Sequence, residues 1–284
     1  MPELPEVETV RNTLKNLILN KQIRDIDIFY EKMIRNVDVT QFKERLLDKY
    51  LTDIRRYGKH LVFQFEDVLL ISHLRMEGKY YIKDLDQPKE KHEHVIFYFT
   101  DGTTLRYNDT RKFGTYDLTT EELLFTESPV SKLGFEPFEK ELTASYLQKK
   151  LEKKSIAIKS ALLDQTIITG LGNIYVDEVL FLSKIHPETE SKTLTRKQLK
   201  DVISNSHFVL EKAIKLGGTT IRSYTSSLGV TGRFQNELFV HTKAGDDCQV
   251  CKTVIEKIKV NGRGTYYCPK CQKKNTKKKW FTSF

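Results

Sequence analysis

The chain reads as an α+β protein: an N-terminal β-sandwich led by one helix, then a helical second half closed by a cysteine-bearing β-hairpin. Three observations predict this. Short period-two apolar runs fill residues 23–135, the apolar period becomes helical after Gly134-Phe135-Glu136-Pro137-Phe138-Glu139, and all four cysteines fall between 248 and 271. At 284 residues the chain has room for two cores.

The opening Met1-Pro2-Glu3-Leu4-Pro5-Glu6-Val7-Glu8 starts a helix, because Val7, Val10, Leu14, Leu17 and Ile18 recur at helical spacing behind Pro5. Glu6 and Glu8 suit the positive end of its dipole. Removal of Met1 would free the secondary amine of Pro2, a nucleophile with carboxylates beside it, able to attack an electrophilic carbon while an acid protonates the leaving group. Proline and glutamate at a helix start also serve as capping alone, so the residues by themselves leave both readings open.

Strands follow at Leu61-Val62-Phe63-Gln64-Phe65, Val68 to Ser72, Val95-Ile96-Phe97-Tyr98-Phe99 and Thr103 to Tyr107, with an Asp101-Gly102 hairpin signal between the last two and a helix at Gln41 to Leu47. Beyond the linker, Leu142 to Lys153, Ile158 to Asp164 and Asn173 to Leu182 read as helices. Thr195 and Gln198 form a capping box for a long helix ending near Gly217-Gly218. Gly170-Leu171-Gly172-Asn173, with Asn173 as the N-cap, presents backbone amides and a helix dipole to an anion, although glycine before a helix is also an ordinary turn. Thr219 to Phe234, with Gly229 and Gly232, reads as a mobile polar lid.

Cys248-x2-Cys251, sixteen residues, then Cys268-x2-Cys271 lets two knuckles close tetrahedrally on one Zn²⁺. The four cysteine ligands make the metal structural, the alternative being a redox dithiol. Val254, Ile255, Ile258 and Val260 suit the strands between the knuckles, and Asn261-Gly262 the turn. Arg263 beside that turn is either a phosphate anchor or a solvent-facing arginine. Lys91-His92-Glu93-His94 lacks a third metal ligand, and its two histidines are expected on one exposed face.

The net charge is +9, and Cys248 to Phe284 alone carries ten Lys and Arg against the single acid Glu256, so nucleic acid is the economical partner. No apolar run is long enough to span a membrane and the start lacks a secretory pattern, which predicts a cytoplasmic protein. Cysteines confined to one cluster argue for metal over disulfides.

MPELPEVETV resembles the amino terminus of the formamidopyrimidine-DNA glycosylases, bacterial enzymes that excise oxidised purines. Ala161-Leu162-Leu163-Asp164-Gln165 through Gly170-x-Gly172-Asn173-Ile174-Tyr175 is similar to their helix-two-turns-helix, and the resemblance extends from Met1 through Cys271. It implies a monomeric, nucleoid-associated DNA glycosylase with AP lyase activity, acting on damaged double-stranded DNA. Pro2 forms a Schiff base at the sugar, β,δ-elimination follows, and no nucleotide cofactor or catalytic metal is needed. Pro2, Glu3, Lys59 and Arg263 are the implied catalytic set, with Glu6 in support. Asn173, Arg111 and His92 are implied DNA contacts, and Lys159 a weaker one. His73-Leu74-Arg75-Met76-Glu77-Gly78 and Asn108-Asp109-Thr110-Arg111-Lys112-Phe113-Gly114 resemble loops whose Met76, Arg111 and Phe113 fill the gap left by an everted base. The expected segments are a catalytic sandwich at 1–135, a helical domain at 136–245, a zinc hairpin at 246–273 and a basic tail at 274–284, which extends past the point where the family usually ends. Two rivals stand beside this reading: an oxidised-pyrimidine glycosylase of the sister branch, and a zinc-hairpin DNA-binding protein without chemistry.

Overall fold

The computed structural model describes residues 2–219 and 232–274. Two compact units divide the chain, Met1–Gly134 with Leu210–Glu237, and Phe135–Val209 with Leu238–Phe284. The first break falls at the start of the expected linker. The stretch Leu210–Glu237, assigned from sequence to the helical domain, clusters instead with the sandwich, and the cysteine hairpin belongs to the helical unit rather than standing apart.

The first unit begins with α1 (Leu4–Ile18), whose second residue is Pro5. Val7, Val10, Leu14 and Ile18 line its buried face. Two four-stranded antiparallel sheets follow. One has the order β1 (Ile23–Ile28), β6 (Glu93–Phe99), β7 (Thr103–Asn108), β5 (Lys79–Asp84); the other runs β2 (Leu51–Tyr57), β3 (His60–Phe65), β4 (Val68–His73), β8 (Thr115–Thr119). A single core joins Val95, Phe97, Leu105 and Tyr80 of one sheet to Ile54, Phe63, Leu70 and Leu118 of the other, and α1 and Phe42 of α2 (Val39–Leu46) seal it. Alternation along each strand therefore produces a sandwich, as expected. A smaller cluster of Val62, Leu69, Ile71, Leu124 and Val130 covers the outer face of the second sheet, which is why β4 reads as a continuous apolar run.

The second unit holds α3 (Ala144–Leu151), α4 (Ile158–Leu162), α5 (Asn173–Leu182) and most of α6 (Arg196–Lys215). The Thr195–Gln198 capping box forms: Gln198 N donates to Thr195 Oγ1 at 3.2 Å, and Thr195 N to Gln198 Oε1 at 3.0 Å. The terminal hairpin pairs β9 (Glu256–Val260) with β10 (Arg263–Tyr267), and β10 packs on α5. Its turn residues Asn261 and Gly262 both take positive φ, 47° and 76°, as a two-residue type I′ turn requires. Val254 and Ile255, expected in the first strand, precede it. Residues 220–231 of the expected lid and 275–284 of the basic tail lie outside the described residues, as does Met1. Among the described residues no helix is long and apolar enough to cross a membrane.

Candidate active site and nucleic-acid interface

Helix α1 is entered through a buried extended segment. Pro2, Glu3 and Glu6 are all buried, the two glutamates to within 4% of full burial. Glu3 is the N-cap, and its backbone N–H donates to Glu6 Oε2 at 2.8 Å, the reciprocal arm of a capping box. The other oxygen of Glu6 accepts from Thr219, from N at 2.7 Å and from Oγ1 at 3.2 Å. Gly218, at φ +78°, passes so close that a Cβ there would lie 2.5 Å from Glu6 Oε1. One carboxylate thus ties the proline-bearing start of α1 to the root of the expected lid. Neither Gly218 nor Thr219 stands out in the sequence as a partner of Glu6, because nothing local relates positions more than two hundred residues apart.

Lys59 occupies the second position of the two-residue turn between β2 and β3, after Gly58 at φ +56°, and is buried. Its neighbour His60 faces His73 across the β3–β4 ladder, the rings edge to face at 4.5 Å. Burial, reinforced by the charge on Arg75, pushes His60 down to about 4; burial and the neighbouring His60 push His73 down to about 2. Both rings are therefore neutral at pH 7, and His73 Nδ1 accepts from the Arg75 amide at 2.9 Å, fixing its tautomer.

The loops bearing Met76, Arg111 and Phe113 share one support. Asp109, fully buried, accepts from the backbone N–H of Arg111, Phe113 and Gly114, each at 2.9 Å, so the β7–β8 loop is wound around its carboxylate. Thr110 bonds through its hydroxyl to Glu77 on the β4–β5 loop. Gly78 and Gly114 both lie against the Tyr107 ring, where a Cβ would come within 2.1 and 1.7 Å of the hydroxyl. At the tips, Met76 is 38% and Phe113 50% exposed, and the Arg111 guanidinium sits 4.9 Å from the Phe113 ring centroid. Large apolar tips on polar, tightly wound loops are not core residues. Of the two histidines expected on one exposed face, His94 is instead buried, with Nε2 2.9 Å from the Asp109 carbonyl, and burial lowers its pKa. His92 lies before β6, half-buried.

In the second unit Gly172, not Asn173, is the N-cap of α5; Asn173 is the first helical residue. Its side chain turns to the hairpin, Nδ2 donating to the Gly264 carbonyl at 3.1 Å. Lys159 departs further from expectation. Its side chain is fully buried, and Nζ donates to Asp177 Oδ1 at 2.7 Å and to the same Gly264 carbonyl at 3.1 Å. With Nζ committed to Asp177 and the Gly264 carbonyl, this ammonium joins α4 to α5 and the hairpin inside the fold. Asp177 also accepts from Tyr266 N at 3.2 Å and meets His241 Nδ1 at 2.8 Å, while Glu178 takes the backbone N–H groups of Phe239, Val240 and His241. Two adjacent acids on α5 thus gather the segment leading into the hairpin and the hairpin itself. A run such as Val176-Asp177-Glu178-Val179 signals this only weakly: charged residues inside an apolar helix pattern demand partners that sequence does not name. Arg263, just past the hairpin turn, is exposed.

The four cysteines meet as expected. Their Sγ atoms lie within 4.8 Å of one another, with Cys251 and Cys268 at 3.4 Å and Cys248 and Cys271 at 4.0 Å. These separations are far beyond a disulfide bond and bracket the edge of about 3.8 Å that a tetrahedron with ~2.3 Å Zn–S bonds requires. Cys248 and Cys268 pack with Phe181, Val240 and Ile255, so the knuckles double as a core.

Comparison with known proteins places these features together. Residues 1–116 match the formamidopyrimidine-DNA glycosylase N-terminal domain, 133–225 the H2TH domain of the same glycosylases, and 245–274 the zinc finger found in FPG and IleRS. The chain is 50% identical over 273 residues to the formamidopyrimidine-DNA glycosylase of Ligilactobacillus salivarius, covering 96% of this chain and 99% of that one, and 48% identical with the same coverage to that of Bacillus cereus. Among solved structures it is similar to a glycine-to-proline variant of the Lactococcus lactis enzyme bound to Fapy-dG-containing DNA (TM-score 0.91, 45% identity), and to the L. lactis enzyme with abasic-site DNA (0.90, 46%); each alignment covers 96% of this chain and 100% of the other. The wild-type L. lactis enzyme with an oxidised-pyrimidine-containing DNA aligns equally fully, at TM-score 0.89 and 44% identity.

Proposed function

The chain belongs to the formamidopyrimidine-DNA glycosylase family, and from that premise we propose how its own residues carry out the family's chemistry. It is a base-excision-repair DNA glycosylase with AP lyase activity that acts on damaged double-stranded DNA, and it carries one structural Zn²⁺ on Cys248, Cys251, Cys268 and Cys271. Its lesions are oxidised purines, 8-oxoguanine and ring-opened formamidopyrimidines. It works as a monomer in the cytoplasm, on nucleoid DNA.

The observation that carries the catalytic assignment is the burial of Pro2 with Glu3 and Glu6 at the start of α1. A helix cap at the surface has no need of two interior carboxylates, whereas an amine that must attack carbon gains from both. Once Met1 is removed, Pro2 N attacks C1′ of the flipped nucleotide, the C1′–N bond to the base breaks, and the base leaves with a proton. Loss of the amine proton and the sugar ring opening give the iminium, and Glu3 serves as the acid and base at the sugar. Glu6 holds the Glu3 amide and hence the helix start. Lys59 binds phosphate and assists. Met76, Arg111 and Phe113 enter the vacated stack, and His92 adds a DNA contact at the edge of the first unit.

On the second unit, Asn173 and Arg263 grip the backbone. Since Asn173 Nδ2 already bonds to the Gly264 carbonyl, the helix start and hairpin tip are held together before DNA arrives. Arg263→Ala and Asn173→Ala are expected to weaken binding to every duplex sequence alike. The arginine change is also expected to reduce the slope of log K against log salt by about one unit. Titrations by fluorescence anisotropy at several salt concentrations check this, and a sequence-selective loss would mean that these residues read bases.

Borohydride reduction tests the proposed function directly. The protein is expected to become covalently trapped on abasic-site DNA, and to excise 8-oxoguanine opposite cytosine and formamidopyrimidines faster than oxidised pyrimidines. Absence of a trapped adduct would leave only a DNA-binding module, and faster release of thymine glycol would move the enzyme to the pyrimidine branch.

A further inference from the structure

We infer that Glu8 and Arg56 form a latch that positions Lys59 relative to the start of α1, making both positioning residues for the lyase chemistry. This rests on the assignment of Lys59 to that chemistry. The connection is continuous. Arg56, near the end of β2, donates Nε to Glu8 Oε2 at 2.8 Å and Nη1 to the Gly58 carbonyl at 2.9 Å. Gly58 is the left-handed first residue of the β2–β3 turn, and Lys59 is the second. Glu8 sits on α1, the helix capped by Glu3. One guanidinium therefore spans from the nucleophile's helix to the peptide preceding Lys59.

A second arginine braces the arrangement. Arg11 Nη2 donates to Glu8 Oε1 at 2.6 Å, its Nε lies 3.1 Å from both Glu8 oxygens, and its Nη1 reaches the Ile54 carbonyl of β2 at 3.3 Å. Burial pushes the Glu8 carboxyl up, but the hydrogen bonds of Arg11 and Arg56 outweigh it and hold the group below the ordinary carboxylate range. The three side chains are only 10–21% exposed.

Stability alone does not call for this design. The apolar face of α1, with Val7, Val10, Leu14 and Ile18 completely buried, already fixes the helix on the sandwich. Bringing two guanidiniums and a carboxylate into a largely desolvated site costs hydration that apolar packing would not. What the cluster adds is direction. The planar fork sets the Gly58 carbonyl at a fixed place relative to α1, and a turn anchored there holds the next residue's Cα.

A double-mutant cycle decides the matter, read as the single-turnover rate of strand cleavage at a preformed abasic site. Arg56→Met is expected to slow cleavage about ten-fold through misplacement of Lys59. Arg56→Lys is expected not to restore the rate, because one ammonium cannot hold both acceptors in the guanidinium's geometry. In a Lys59→Met background, Arg56→Met is expected to cost nothing further. A loss of the same size in both backgrounds would overturn the latch while leaving the role of Lys59 intact. A Lys59→Met enzyme that cleaves at full speed would overturn the Lys59 assignment and the latch with it. Should Arg56→Met fail to fold, Glu8→Gln, which keeps the shape of the side chain, enters the same cycle and is judged by the same coupling.

Discussion

Glu3→Gln is expected to lower single-turnover excision of 8-oxoguanine by roughly 10²-fold or more while duplex affinity stays within about two-fold of the unaltered protein. Glutamine fills the same volume at the N-cap, and the Glu3 backbone N–H that Glu6 accepts is untouched, so the start of α1 keeps its shape. What disappears is a group able to exchange a proton in the interior. Rapid-quench measurements beside a binding titration separate the two effects. A parallel fall in excision and affinity would show that the substitution damaged the fold and that Glu3 is structural. The companion substitution Glu6→Gln acts on structure rather than on proton exchange: both Glu6 oxygens accept from N–H donors, so a glutamine would turn a donating amide nitrogen towards one of them and loosen the start of α1 or its tie to Thr219.

Stripping the metal has a comparable reach in the other unit. With Zn²⁺ removed by a chelator, β9 and β10 are expected to lose their pairing and duplex affinity to fall by about 10²-fold or more. Four thiolate ligands supply folding free energy outright, and the hairpin carries both Arg263 and the Gly264 carbonyl that positions Asn173. Losing two charge-assisted or buried contacts of roughly 1.5–3 kcal/mol each accounts for the size of the effect. Re-addition of Zn²⁺ is expected to restore affinity. Full chelation with unchanged binding would sink the claim that the knuckles organise the grip.

The elements that declare themselves in the sequence are those whose signal is local. The cysteine spacing, the Thr195–Gln198 box, the Asn261-Gly262 turn and the α5 span from Asn173 to Leu182 each depend on residues a few positions apart, and the structure has them there. Pro2, Glu3 and the loops bearing Met76, Arg111 and Phe113 stand out only through the family resemblance, since composition alone leaves them as capping and core. Long-range pairing was invisible. Lys159 looks like a surface lysine beside a phosphate loop until Asp177 and Gly264 are brought to it, and Glu8 looks like a dipole acid until β2 delivers Arg56. The same holds for Thr219, which follows the end of α6 by four residues yet meets Glu6 of α1 only after folding.

Tyr107 gives the β4–β5 and β7–β8 loops an uneven tolerance for genetic change. At their roots, Gly78 and Gly114 press on its hydroxyl so closely that even alanine would demand movement of a ring locked between Tyr80 and Tyr116. At their tips, Met76 and Phe113 are 38% and 50% exposed and belong to no buried core cluster. Drift at the roots is therefore blocked by sterics, whereas drift at the tips is nearly free of cost to folding. A lineage can revise the exposed tips of these two loops without first surviving an unstable intermediate.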